Sequence, residues 1–211
     1  MRDYWIPMVT FGVLTMGESY VSPEWYPAAY IAKAVIVTTT LSVFRAPLRD
    51  IKFESSVIVP SILVGALVFV AWVGLDRIVD YPRLGTRTGF DPNSLHGSAW
   101  WPAFLAFRLY GLVLMVPVME EIFWRSFLLR YLTKYDFQTL PVGTFSALAL
   151  WVMVGASALA HPEWLAAVVA SLAYALWIRR SRSLFAAIVA HATTNAALGG
   201  YVLVTREWHY W

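Results

Sequence analysis

Residues 56–75 read SVIVPSILVGALVFVAWVGL, a run of 20 residues without a single charge. A helix needs about 20 apolar residues to cross the roughly 30 Å hydrocarbon core of a bilayer. An isolated strand or loop cannot cross, because its backbone polar groups would go unpaired there. The run therefore predicts a membrane-spanning helix. Pro141–Ala160 is also uncharged throughout and predicts a second. Working outward, Tyr26–Phe44, Ala99–Met119, Trp164–Ile178 and Leu184–Thr205 supply four more apolar segments, and Tyr4–Gly17 is short enough to be a span or an interfacial helix. The expectation is an all-α, polytopic transmembrane helical bundle of about seven spans, with six as the fallback, forming one integral-membrane domain over residues 1–211. Ala99–Thr133 reads as one long helix, kinked or restarted near Pro117, whose ring nitrogen has no proton to donate.

Composition agrees. The chain is 59% hydrophobic and 14% charged, against about 25% charged in a soluble domain. Its mean hydropathy is +0.60 and its pI about 9.2. The net charge of +3 reflects the Lys and Arg that membrane proteins collect in cytoplasmic segments, so no nucleic-acid partner is expected. Cysteine is absent, which excludes disulfides, thiolate metal sites and cysteine nucleophiles. Trp5, Trp25, Trp100, Trp101, Trp164 and Trp208 stand near the ends of apolar runs, where interfacial aromatic belts form. Met1–Gly17 has a weak basic start and no clear cleavage site, so a cleaved signal peptide is not expected. With seven spans, the inner segments hold Arg2, Arg45, Arg49, Lys52, Arg130, Lys134, Arg179, Arg180 and Arg182. The outer ones hold Arg77, Arg83, Arg87 and Arg206. That bias predicts a cytoplasmic N-terminus and an exterior C-terminus. The long outer loop Asp76–Ser98 is placed to cover one mouth of the bundle.

Ionisable residues at membrane depth are costly, and by default they mark function or face a partner. Lys33 lies about two turns into its span, and its stem can snorkel to the interface. Arg108 is more central and invites a carboxylate partner across the bundle. VMEEIFWRSFLLR, residues 118–130, holds two adjacent glutamates. Neighbouring helical residues point about 100° apart, so Glu120 and Glu121 cannot share one role. Glu121 and Arg125 stand at i, i+4 and can pair, leaving Glu120 to point elsewhere. A carboxylate in a low-dielectric site suits a general base; the plainer alternative is an ion pair at a wet helix end. His161 closes a span in SALAHPEW, a common place for an interfacial histidine. His191 lies about two turns inside LFAAIVAHATTNAALGG, with Asn195 at i+4. Together those two can present donors to one oxyanion, or they can join helices as polar glue.

In order, EEIFWR at 120–125, His161, and HATTN at 191–195 resemble the EExxxR, FxxxH and HxxxN motifs of the CAAX prenyl protease and bacteriocin-processing (CPBP) family of intramembrane proteases. The motifs lie in 99–203. The second departs from the pattern: Ser157 stands where the family has Phe, and Trp151 or Trp164 is the candidate for the missing ring. The resemblance implies an intramembrane endopeptidase that hydrolyses a peptide bond of a membrane-associated or lipid-modified protein. It assigns Glu120 as the base that activates water, His161 as a holder of that water, and His191 with Asn195 as oxyanion stabilisers. Glu121 and Arg125 support the first motif. No cofactor is implied.

The alternative ligand reading is zinc at Glu120, His161 and His191, a known kind of ligand set. Against it, no H-E-x-x-H is present and a carboxylate beside an arginine is a poor ligand. Two other functions compete: a non-proteolytic scaffold, immunity factor or processing partner of the same fold, and a carrier binding protons or a cation at the glutamates. Arg125 speaks against the carrier by neutralising the site. Expected partners are the bilayer and a membrane-associated protein or peptide substrate. Size suggests a prokaryotic cytoplasmic membrane, and the compact form resembles the bacterial exosortase-associated CAAX-protease-related proteins. One tension concerns depth: the simple topology puts His161 at the exterior end of its span and Glu120 in the cytoplasmic half of a long helix. The expected site is inside the bundle, open to water through a cleft.

Overall fold

The computed structural model describes residues 1–85 and 89–210. Arg87, counted above with the outer segments, lies outside these described residues. Among them, seven long helices follow one another with no strand: α1 (Arg2–Glu18), α2 (Tyr26–Val43), α3 (Ile58–Ile78), α4 (Trp100–Tyr131), α5 (Ala147–Leu159), α6 (Trp164–Ser181) and α7 (Leu184–Thr205). By length and composition four of them, α2, α3, α4 and α7, are able to cross a membrane. The chain is an integral membrane protein built as a helical bundle. On α3, Val59, Leu63, Leu67 and Val70 are exposed. Their spacing of four, four and three residues puts them along one helix face, which suits acyl chains rather than water.

α3 lies at the centre of one half of the bundle, against α7 and α6, while α5 packs on α6, α1 on α2, and α2 on α4. The α3–α7 approach is close enough that a Cβ on Gly65 would run into the backbone carbonyl of Ala190 and sit 2.7 Å from Thr193 Cβ. Small residues permit such approaches where lipid supplies no hydrophobic drive between helices.

Three expectations need correction. First, Pro141–Ala160 is not one span. The helix covers Ala147–Leu159, 13 residues, because Gly143 is left-handed (φ 79°) and Ser146 caps the start by accepting from Ala149 N–H. At 1.5 Å per residue α5 is about 20 Å long. Second, α4 is the one long helix expected, but it does not restart at Pro117. It runs unbroken through two wider π-helical stretches, Gly111–Met115 and Ile122–Leu128. Pro117 explains the first, since a proline ring clashes with the carbonyl four residues back and a π-bulge relieves it. Third, Lys33 does not snorkel to water. It is 4% exposed, and its ammonium pairs with Glu18 at 2.5 Å while lying 4.9 Å from the ring centroids of Phe11 and Tyr30. Arg108 lies 4.6 Å from the centroid of the Tyr30 ring.

The two chain ends lie at opposite ends of the bundle. Tyr4 donates to Asp50 at 3.1 Å on the side of the 43–57 loop, and Tyr210 donates to Asp76 at the far end of α3. Burial and the Asp76 carboxylate push the Tyr210 hydroxyl well above the usual tyrosine range.

Candidate active site

Glu121 is completely buried and Arg125 is 2% exposed. They pair at 3.0 Å, Arg125 Nη1 donating to Glu121 Oε1. The i, i+4 pairing anticipated from sequence is therefore present. The same Oε1 also accepts from His191 Nδ1 at 2.9 Å, a contact across α4 and α7. Glu120, 8% exposed, makes no hydrogen bond or ion pair among the described residues.

Asn195 follows one turn after His191 and faces the same helix. Its Nδ2 donates to the Leu112 carbonyl at 2.9 Å. In the π stretch Val116 N–H bonds to Gly111 O, five residues back. The next donor in that register would be Pro117, which has none, so the Leu112 carbonyl is left open and Asn195 fills it. One of the two amide protons is committed there; the other remains for a second acceptor.

His161 lies in the turn between α5 and α6. Its Nδ1 donates to the Ser157 carbonyl at 2.8 Å. Ser157, where a motif phenylalanine was expected, accepts from Ser171 Oγ at 2.8 Å and so links α5 to α6. Neither Trp151 nor Trp164 supplies the ring. Trp151 is 60% exposed, and Trp164 turns away to donate to the Pro82 carbonyl at 2.8 Å. The ring beside His161 is Trp72 of α3, edge-on at 5.8 Å between centroids. No hydrogen bond joins His161 to Glu120, Glu121 or His191 among the described residues. The depth tension is smaller than the simple topology implied. α5 starts beside the C-terminal end of α4, where Ser146 N–H donates to Thr133, and its short length leaves His161 about 20 Å along the bundle from that end.

Both histidines thus commit Nδ1–H to an oxygen acceptor, which leaves Nε2 of each as the working nitrogen. In the neutral imidazole Nε2 accepts a hydrogen bond; in the imidazolium it donates. The cluster of Glu120, Glu121, Arg125 and His191 carries two carboxylates and two groups able to be cationic.

Sequence reasoning missed Tyr174. Its ring stacks on His191 (5.2 Å between centroids, 21° between planes) and lies 5.3 Å from the Arg125 guanidinium. It also missed Glu163, 2% exposed, whose Oε2 has no hydrogen-bond partner among the described residues. In SLAYALW and HPEW neither residue stands out from an ordinary core aromatic or an ordinary helix start. Among the described residues no three His, Asp or Glu side chains converge as a metal-ligand set. A concavity of about 230 Å³ lined by Asp76, Tyr81 and Arg83 opens at the outer end of α3 and includes none of these side chains.

Comparison with curated proteins and with solved structures returned no match. A family model does match: residues 99–197 fit the type II CAAX prenyl endopeptidase Rce1-like family, a family of proteases that act on membrane-associated proteins. The matched segment takes in α4 through most of α7, with both glutamates, Arg125, both histidines and Asn195. Through residues 99–197 this integral membrane protein is similar to the Rce1-like type II CAAX prenyl endopeptidases.

Proposed function

We propose that the chain is an intramembrane endopeptidase in which Glu120 activates the attacking water without a covalent intermediate. The observation that carries this reading is the division between the two glutamates. Glu121 is held by Arg125 and His191, while Glu120 beside it has no partner among the described residues. A base must keep a lone pair available to the water it deprotonates, and an oxygen already shared by an arginine and a histidine does so poorly.

In this mechanism Glu120 takes a proton from water as the hydroxide attacks the scissile carbonyl. His161 Nε2 accepts a hydrogen bond from the same water and helps aim it. His191 and Asn195 donate to the oxyanion as it forms, an arrangement of the kind worth about 3–4 kcal/mol per donor removed. The oxyanion role needs a proton on His191 Nε2, and with Nδ1–H committed to Glu121 that donor belongs to the imidazolium form. Collapse of the tetrahedral intermediate returns the proton from Glu120 to the leaving amine.

The substrate is a peptide bond near a membrane anchor or lipid modification, in what we take to be a prokaryotic cytoplasmic membrane. The proposal is metal-free. Glu120→Ala, His191→Ala and wild type, each folded in detergent, are compared on a library of membrane-anchored peptides. Loss of cleavage by about 100-fold or more in both variants is expected; equal cleavage in all three overturns the mechanism, and cleavage by none favours a scaffold. Metal analysis with chelator and zinc-rescue arms tests the metal-free step: inhibition by chelator with rescue by zinc would refute it.

A further inference from the structure

Two restraints are needed to fix an imidazole in space. The hydrogen bond from His191 Nδ1 to Glu121 fixes one atom, but the ring can still swivel about the N···O line. The second restraint is a surface. Tyr174 of α6 is 3% exposed and lies against His191 with planes 21° apart. The phenol is itself tied down: its hydroxyl donates to Thr194 Oγ1 at 2.7 Å, and Thr194 donates to the Gly65 carbonyl of α3 at 2.8 Å. Thr194 is three residues after His191, so the ring is anchored to the helix that carries the imidazole. The Arg125 guanidinium also lies over this ring, 5.3 Å from its centroid. One aromatic face therefore touches two members of the Glu121–Arg125–His191 cluster and is locked by a hydrogen-bond chain across three helices.

We propose that Tyr174 is a positioning residue: its ring sets the plane of His191 and so the direction in which Nε2 points. The role rests on the protease reading above for its consequence, though not for its geometry. A competing role exists, since Tyr174 also packs with Val68, Ala170 and Ala190 in the apolar core. The two roles predict different behaviour. A core filler changes stability; a positioning residue changes the orientation of His191 and the turnover of bound substrate.

The test uses the full chain in nanodiscs, labelled with 15N-histidine and assigned by loss of signal in His191→Gln. Wild type and Tyr174→Phe, which keeps the ring, are expected to give one set of His191 ring signals. Tyr174→Leu is expected to give a broadened or split set, as the imidazole samples more than one plane. In cleavage assays Tyr174→Leu should lower kcat by about 10- to 100-fold with KM within about 3-fold, the scale on which roughly 1 Å of misplacement acts. Tyr174→Phe should restore most of that loss. Tyr174→Met, which also removes the ring face but fills more of its space, serves if Tyr174→Leu does not fold; it should likewise broaden the His191 signals. A single unbroadened signal set in whichever of Tyr174→Leu and Tyr174→Met folds, with kcat unchanged there, overturns the proposal. If His191→Ala leaves cleavage intact, the catalytic role of His191 falls instead, while the ring signals still judge the hold of Tyr174 on His191.

Discussion

At the scale of single residues the controlling fact is that Glu121 has no water to fall back on. It is completely buried and Arg125 and His191 share one of its oxygens, while its Oε2 has no hydrogen-bond partner among the described residues. Removing one member of a buried pair leaves an uncompensated charge, at a cost of about 3–5 kcal/mol. Arg125→Met is therefore expected to destabilise the folded protein by about that amount, read as a lower unfolding midpoint in detergent. Adding Glu121→Gln to Arg125→Met removes the stranded charge as well. The double variant should recover more than half of the loss, and a double variant as weak as Arg125→Met alone would show that the pair is not what holds this part of the bundle. Most of the ingredients were visible in the sequence. EEIFWR states the i, i+4 pair outright, and HATTN states that His191 and Asn195 share a face. The partners of that face were not visible, because which residue of α4 lies opposite His191 depends on how two helices 70 residues apart come to rest. Tyr174 and Trp72 escaped for the same reason: their significance is a neighbour from another helix.

At the scale of elements, α4 is set by its proline. The π stretch at Gly111–Met115 adds backbone length ahead of the glutamates, so it fixes which way Glu120 and Glu121 face. Pro117→Ala restores an N–H, which in an α register bonds to the Val113 carbonyl, and removes the ring that forced the wider turn. Relaxation to an α register would turn everything beyond it by about 100°. Helix content should hold or rise, while cleavage falls by at least about 10-fold. Unchanged cleavage would mean that the stretch does not govern the direction of the glutamates. Helix existence was legible almost everywhere, since runs of 18 or more apolar residues can be little else. Helix limits were not. The sequence of α5 is apolar from Pro141 onward, and hydropathy alone overrode the local signals of Pro141, Gly143 and Ser146 that start the helix late. The π register near Pro117 had a visible cause but not a visible form, and that at Ile122–Leu128 had neither.

At the scale of the whole molecule, charge and topology meet at the two ends. Lys134 and Arg180 are exposed at the end where α4 and α6 finish; Asp80 and Arg206 are exposed at the other. The Lys and Arg excess predicts that the first end is cytoplasmic. The chain has no cysteine, so single cysteines can be placed without background. Cysteines at positions 134 and 180 should react with a membrane-impermeant maleimide only in inverted vesicles, and those at 80 and 206 only in right-side-out vesicles. The reverse pattern would turn the protein over, and labelling of all four from one side would refute the spanning arrangement.

The late start of α5 has a consequence for the lipid around it. Leu148, Trp151, Val152 and Leu159 are exposed along this helix, so it stands on the flank of the bundle, in contact with acyl chains. A helix of about 20 Å set in a hydrocarbon slab of about 30 Å leaves roughly 10 Å unmatched. Lipids answer such a mismatch by thinning, at a cost of fractions of a kcal/mol per Å. A bilayer that meets this flank is expected to thin toward the turn that carries His161. Thinning there would bring headgroups and water to a histidine that would otherwise lie under a full leaflet, and on the proposed protease reading it would shorten the distance a lipid-anchored chain must dip to present its peptide bond.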